Sequence, residues 1–188
     1  VSSVALAALL EELERQERNN RHDGRVRLAA QLRAQDACEY CLMPTTGQFH
    51  IDHIIPPSRW EHYEGGNLPK WRPETPRAGP DHLDNYAWAC PFCNLAKGQQ
   101  VSGRVGRRTD RLFDPRSDRW DEHFVFLHNY LFITGVSHIG RATESTLRLN
   151  DSRLNGPLGT RHDTILAGRF PPIWVRNSSP SIEATTEV

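Results

Sequence analysis

Four cysteines constrain this chain more than any other feature. They stand as two C-x-x-C pairs, Cys38 with Cys41 and Cys90 with Cys93, and no cysteine is left over. Two such pairs without an export signal read as a tetrahedral four-thiolate zinc site. In a secreted protein they could instead be two disulfides, and a redox pair is a further alternative. The redox reading needs one C-x-x-C at a helix N-terminus and leaves the second pair without a role. The apolar opening, Val1 to Leu10, lacks a basic segment and runs into Glu11 and Glu12, so it does not read as a signal peptide. No run approaches the ~20 apolar residues of a membrane helix. The expectation is a cytoplasmic protein with a structural Zn2+ on Cys38, Cys41, Cys90 and Cys93.

A length of 188 residues suits about one domain. The 23 basic and 23 acidic residues cancel, which excludes a strongly basic nucleic-acid binder; such affinity must come from a local patch or a partner. Helical spacing appears over Val4–Arg18 and over Arg25–Gln35, the latter with Val26, Leu28, Ala29 and Leu32 on one face. Phe49–Ile55 reads as a strand closed by Pro56-Pro57, and Ser58–Asp81 as a loop. Asn85–Ala89 is short and apolar, Asn94–Gln99 opens a helix, and Gly103–Arg111 reads as a basic loop. Phe124–Phe132 is a strand or buried segment, and His138–Leu149 a helix. The aromatic cluster Trp120, Phe124, Phe126, Tyr130 and Phe132 reads as core. Asn177–Val188 is polar and expected to be disordered. These parts fit one α+β domain: a helical segment (1-36), a core (37-110), an extension packed on it (111-176) and a tail (177-188).

Between the knuckles lies His50-Ile51-Asp52-His53. Alternation on a strand puts His50 and Asp52 on one face and His53 on the other. Asp52 is a hard oxygen ligand suited to magnesium or manganese. His53 offers an imidazole, a side chain suited to taking a proton from water. Asn94 and Lys97, three apart after the second knuckle, share a helical face. Asn94 offers a carbonyl oxygen, and Lys97 a positive charge for a phosphate. The bland readings are a helix cap for Asn94, a solvated lysine for Lys97 and a surface histidine for His50.

The pattern C-x-x-C, H-x-D-H-I-I-P, D-N, C-x-x-C-N-x-x-K-G resembles the HNH endonuclease family of the His-Me finger superfamily. Here it runs as Cys38–Cys41, His50–Pro56, Asp84-Asn85 and Cys90–Gly98, about a third of the chain. Leu112–Pro115, Asp118–Phe124 and Gly140–Thr143 resemble an extension common in bacterial HNH proteins. The resemblance implies a ββα-metal core and DNA cleavage, in a setting such as bacterial or phage defence. It places the general base on His53, ligands of a catalytic Mg2+ or Mn2+ on Asp52 and Asn94, and a loop-ordering residue on Asn85. It implies a phosphate contact at Lys97, and products with 5′-phosphate and 3′-hydroxyl ends.

Two departures stand out. His50 occupies a position where relatives carry an acid or another residue, which makes it a third candidate ligand. The stretch from Pro57 to Asp84 is longer than the family's Gly-Gly loop, with Gly65-Gly66 its remnant. The run Arg104, Arg107 and Arg108 is the candidate substrate contact, against the plainer reading of a solvated loop. The partner expected is DNA, double-stranded, with a protein partner to deliver or activate the chain and no membrane. The rivals are a zinc-stabilised binding module without catalysis and an RNA nuclease of the same fold.

Overall fold

A computed structural model describes residues 24–45, 47–64, 79–152 and 156–172. The expected helix at Val4–Arg18, the remnant Gly65-Gly66 and the tail from Asn177 lie outside the described residues.

Helix α1 (Gly24–Arg33) buries Val26, Ala29 and Ala30, an i, i+3, i+4 stripe of small side chains that lets the helix lie close. Leu28, expected on that face, is instead 48% exposed. Two arginines fasten α1 to segments distant in the chain. Arg27 donates to the Phe49 carbonyl at 2.7 Å and lies over the Trp88 ring. Arg33 donates to the carbonyls of Leu83 and Tyr86 at 2.8 and 2.6 Å. Gln35 and Asp36, both in the left-handed region, turn the chain into the first knuckle.

Strands β1 (His50–His53) and β2 (Tyr86–Ala89) pair antiparallel, with His50 opposite Ala89 and His53 opposite Tyr86. Helix α2 (Pro57–Glu64) comes after β1, so the stretch read as loop begins helically. A 3-10 turn (Leu83–Asn85) leads into β2, which is buried throughout. Helix α3 (Pro91–Lys97) starts at once after β2 and ends at Gly98, whose φ of 49° suits a residue without Cβ.

The rest of the chain is built on hairpins. Strands β3 (Ser102–Val105) and β4 (Arg108–Arg111) form the first, where the composition suggests a loop. A short helix α4 (Trp120–His123) leads to β5 (Phe124–Leu127) and β6 (Phe132–Gly135), the second. Helix α5 (His138–Leu147) packs on both hairpins, and α6 (Pro157–Leu166) closes the described chain. Glycines permit the close packing. A Cβ on Gly103 would overlap the Ala142 carbonyl and the Thr146 hydroxyl, and one on Gly140 would overlap the His123 carbonyl.

The fold is therefore α+β, with three two-stranded antiparallel sheets among the described residues. One hydrophobic core runs from Val26 on α1 through the knuckles to Phe170. Of the aromatics expected in the core only Phe124 is buried there; Trp120, Phe126 and Tyr130 pack half-buried against it, Trp120 stacked on Phe126 and Phe126 edge-on to Tyr130 and Phe170, and Phe132 is half-buried as well. No helix among the described residues is long and apolar enough to cross a membrane.

Candidate metal centre and adjoining polar site

The two knuckles arrive by different routes. The first is a tight turn in which Cys38 donates its N–H to the Met43 carbonyl at 2.8 Å and Leu42 closes back on Cys38. It docks on β2 through Glu39, whose N–H bonds the Trp88 carbonyl and whose carboxylate accepts from the Trp88 N–H at 2.8 Å. The second knuckle is the start of α3. Cys90 is the N-cap, its sulfur 3.5 Å from the Cys93 N–H, and Pro91 begins the helix.

All four Sγ atoms are buried and lie within 4.8 Å of one another. Zn–S bonds of about 2.3 Å in a tetrahedron put sulfurs about 3.8 Å apart. Cys41 Sγ and Cys90 Sγ are 3.7 Å apart, too far for a bond of about 2.05 Å, and all four cysteines are free. A donor set of four soft sulfurs in this arrangement fits a metal such as zinc and closes its coordination shell. The crowding splits the thiols. Contacts from the neighbouring cysteines, Cys38 first, hold Cys41 well below the ordinary thiol range and push Cys90 and Cys93 well above it, where burial adds to the rise. Among the described residues this is the group of three or more Cys, His, Asp or Glu that converges on one point.

Beside it lies a buried polar site built from three elements. Asp52 on β1 is 3% exposed, and the Tyr40 hydroxyl in the first knuckle donates to its Oδ2 at 2.6 Å. Lys97 on α3, 1% exposed, places its ammonium 3.1 Å from Asp52 Oδ1, 3.0 Å from Oδ2 and 2.7 Å from the His53 carbonyl. Burial raises the Asp52 carboxyl from its ordinary value, against the pull of Lys97 and Tyr40. Burial also raises Tyr40 well above its ordinary value, with Asp52 adding to it, so the hydroxyl remains a donor. Lys97 thus faces the interior and not a solvent-borne phosphate.

The other expected residues fall into place around this pair. His50 is exposed, and its Nδ1 is 3.1 Å from the Asn94 side-chain nitrogen, one step along the same strand and helix faces from Asp52 and Lys97. His53 points elsewhere. Its Nε2 is 3.0 Å from Asp81 Oδ1, both side chains being about 30% exposed, and its ring meets Tyr86 edge-on at 5.0 Å. Asn85 is fully buried. It accepts from the Ile55 N–H at 3.0 Å and donates to the carbonyls of Ile55 and Pro80 at 2.8 and 2.9 Å. That clamp fixes both the backbone after His53 and the approach to Asp81. Arg104, Arg107 and Arg108 are exposed on the β3–β4 hairpin, Arg108 paired with Asp110 at 2.7 Å.

Sequence reasoning missed Tyr40, which reads as a knuckle spacer, and Asp81, which lies in an irregular stretch with no periodic signal. The expected cation ligands do not fit as a set in this arrangement. A hard divalent ion needs carboxylate oxygen lone pairs, and those of Asp52 are engaged by Tyr40 and neutralised by Lys97. No family profile, curated protein or solved structure matches the chain.

Proposed function

We propose that this chain is an HNH-type endonuclease that hydrolyses phosphodiester bonds of DNA, with His53 as the general base. The observation that carries the reading is the His53–Asp81 pair: a histidine at a strand end, open to solvent and oriented by a carboxylate at 3.0 Å. With Asp81 accepting from Nε2–H, the basic lone pair of the imidazole sits on Nδ1. That atom takes a proton from water, and Asp81 stabilises the imidazolium that forms. General-base catalysis of this kind contributes about 10²- to 10⁴-fold. In this reading Asn85 serves by holding the His53 and Asp81 backbones in register, and the exposed Arg104, Arg107 and Arg108 would meet phosphates. The zinc ion is structural in this reading, since four thiolates leave no open position. A divalent cation, which the reading also calls for, would neutralise charge on the phosphate.

A second reading, a zinc-stabilised binding module without catalysis, is favoured by one observation: the Asp52 carboxylate already has a counter-charge in Lys97. The two separate on supercoiled plasmid with magnesium, manganese or EDTA, with zinc content matched between native chain and His53→Ala. The nuclease reading expects cation-dependent cutting by the native chain and at least a 100-fold loss in the variant. Uncut plasmid, single-stranded DNA and RNA with folded, zinc-loaded protein would leave the binding module.

A further inference from the structure

Arg161 on α6 is the largest fully buried side chain among the described residues. Its guanidinium donates to the Leu131 carbonyl at 2.8 Å and to the Leu149 carbonyl at 2.9 Å, and lies 3.4 Å from Asn150 Oδ1. Its Nε is buried without a hydrogen-bond partner. These acceptors are all neutral oxygens, and no carboxylate pairs with Arg161 among the described residues. Other arginines withdrawn from water are held differently: Arg33 and Arg116 share Glu39, and Arg111 pairs with Asp118. A guanidinium cannot shed its proton, so a buried one needs an opposite charge in range.

The cysteine cluster supplies it, and a path of packed groups joins the two. The Trp120 indole N–H donates to the Tyr40 carbonyl in the first knuckle at 3.0 Å. Trp120 stacks on Phe126, Phe126 meets Phe170 edge-on, and the Arg161 guanidinium lies over the Phe170 ring at 6.0 Å. Burial pulls Arg161 down from its ordinary value, and Cys41, then Cys93, Cys90 and Cys38, push it back up. Four thiolates around one divalent ion carry a net double negative charge, and in a buried setting such a charge is little screened.

We propose that Arg161 is the counter-charge of the metal–thiolate centre, and that α6 is fastened to the core by the charge of that centre. The inference rests on the metal reading of the four cysteines and is independent of the nuclease reading. The same guanidinium holds the turn between β5 and β6 at Leu131 and the chain after α5 at Leu149. Arg161 is thus a positioning residue, acting on the thiolates through the field and on its own surroundings through hydrogen bonds.

The test is the reduction potential of the full chain with iron in place of zinc on the cysteines. One electron converts ferric to ferrous iron with the four thiolates unchanged, so the potential reads the charge around the centre. Arg161→Gln keeps hydrogen-bond donors and removes the charge. It is expected to shift the equilibrium at least tenfold toward the ferric form, a fall of about 59 mV for one electron. Arg161→Lys keeps the charge and is expected to stay near the native potential. A native potential in Arg161→Gln, or an equal fall in both variants, overturns the proposal and leaves Arg161 a strap on carbonyls. A chain that takes up neither zinc nor iron on its cysteines overturns it as well.

Should Arg161→Gln not fold, the native chain decides. Its iron centre is doubly negative when ferrous and singly negative when ferric. Coupling between two sites is reciprocal, so the amides of α6 are expected to exchange at least tenfold more slowly in the ferrous form, with β3 and β4 unchanged. Equal protection of α6 in the two forms overturns the proposal. Neither readout involves cleavage of a nucleic acid, so the nuclease reading stands or falls separately.

Discussion

The stretch from Cys38 to Lys97 and the stretch from Val101 to Leu166 build with similar pieces and hold them in opposite ways. Both use four-residue strands. In the first, the interior holds four cysteines, the Asp52–Lys97 pair, the Tyr40 hydroxyl and the fully buried Asn85. In the second it is mostly apolar, with Phe113, Phe124, Ile133, Ala142, Leu147 and Leu149 closed by backbone approaches at Gly103, Gly135 and Gly140, and its buried Arg161 and Thr143 are tied to the Leu131 and Leu149 carbonyls and to the Phe113 N–H. Buried polar groups are costly unless paired, so the first region depends on every partner being present. The second depends on shape. The first can therefore be released by taking away an ion or a charge, and the second chiefly by steric change, with Arg161 its one fully buried charge.

Metal removal should expose this contrast most strongly. Structural zinc is worth about 10–16 kcal/mol in small domains. Chelation, or Cys41→Ser, is expected to bring fast amide exchange to β1, β2 and α3 while β5, β6 and α5 keep their protection. Equal loss across both regions would erase the distinction. Next in size is Asn85→Ala, which leaves the Ile55 N–H and two carbonyls without their partner. At ~1–3 kcal/mol for each buried group left unsatisfied, and with part recovered by water, about 3 kcal/mol should be lost in denaturant unfolding. A loss below ~1 kcal/mol would show that Asn85 clamps nothing. The smallest effect expected is from Gly140→Ala, where the new methyl must push α5 away from the His123 carbonyl. Overpacking of this kind costs about 2 kcal/mol, and zinc content should be unchanged.

Legibility in the sequence divides along the same line. The knuckles are legible because ligand spacing is dictated by the ion, and β1 because its alternation ends at Pro56-Pro57. Asn85 and His53 come into view through a motif. The depth of Lys97 does not: spacing puts it on the face of Asn94, but 45 residues separate it from Asp52, and no local signal says that the two meet. Tyr40 is hidden because a C-x-x-C pair makes its inner residues look like spacers. The β3–β4 hairpin is hidden because its arginines and glycines carry no strand signal. It forms because Gly103 lets α5 close over it. Asp81 is hidden because only the folded clamp at Asn85 brings it to His53.

The separation of the knuckles also bears on how the chain is made. Cys41 and Cys90 are 49 residues apart, so the ribosome releases the first pair of sulfurs well before the second. At ~5–20 residues per second, the nascent chain carries two unclaimed thiols for roughly 2–10 s. During that interval, the strand bearing Asp52 and His53 emerges without the helix that completes its pairing. Translation speed across residues 42–93 therefore sets how long the chain stays open to oxidation and to mispairing.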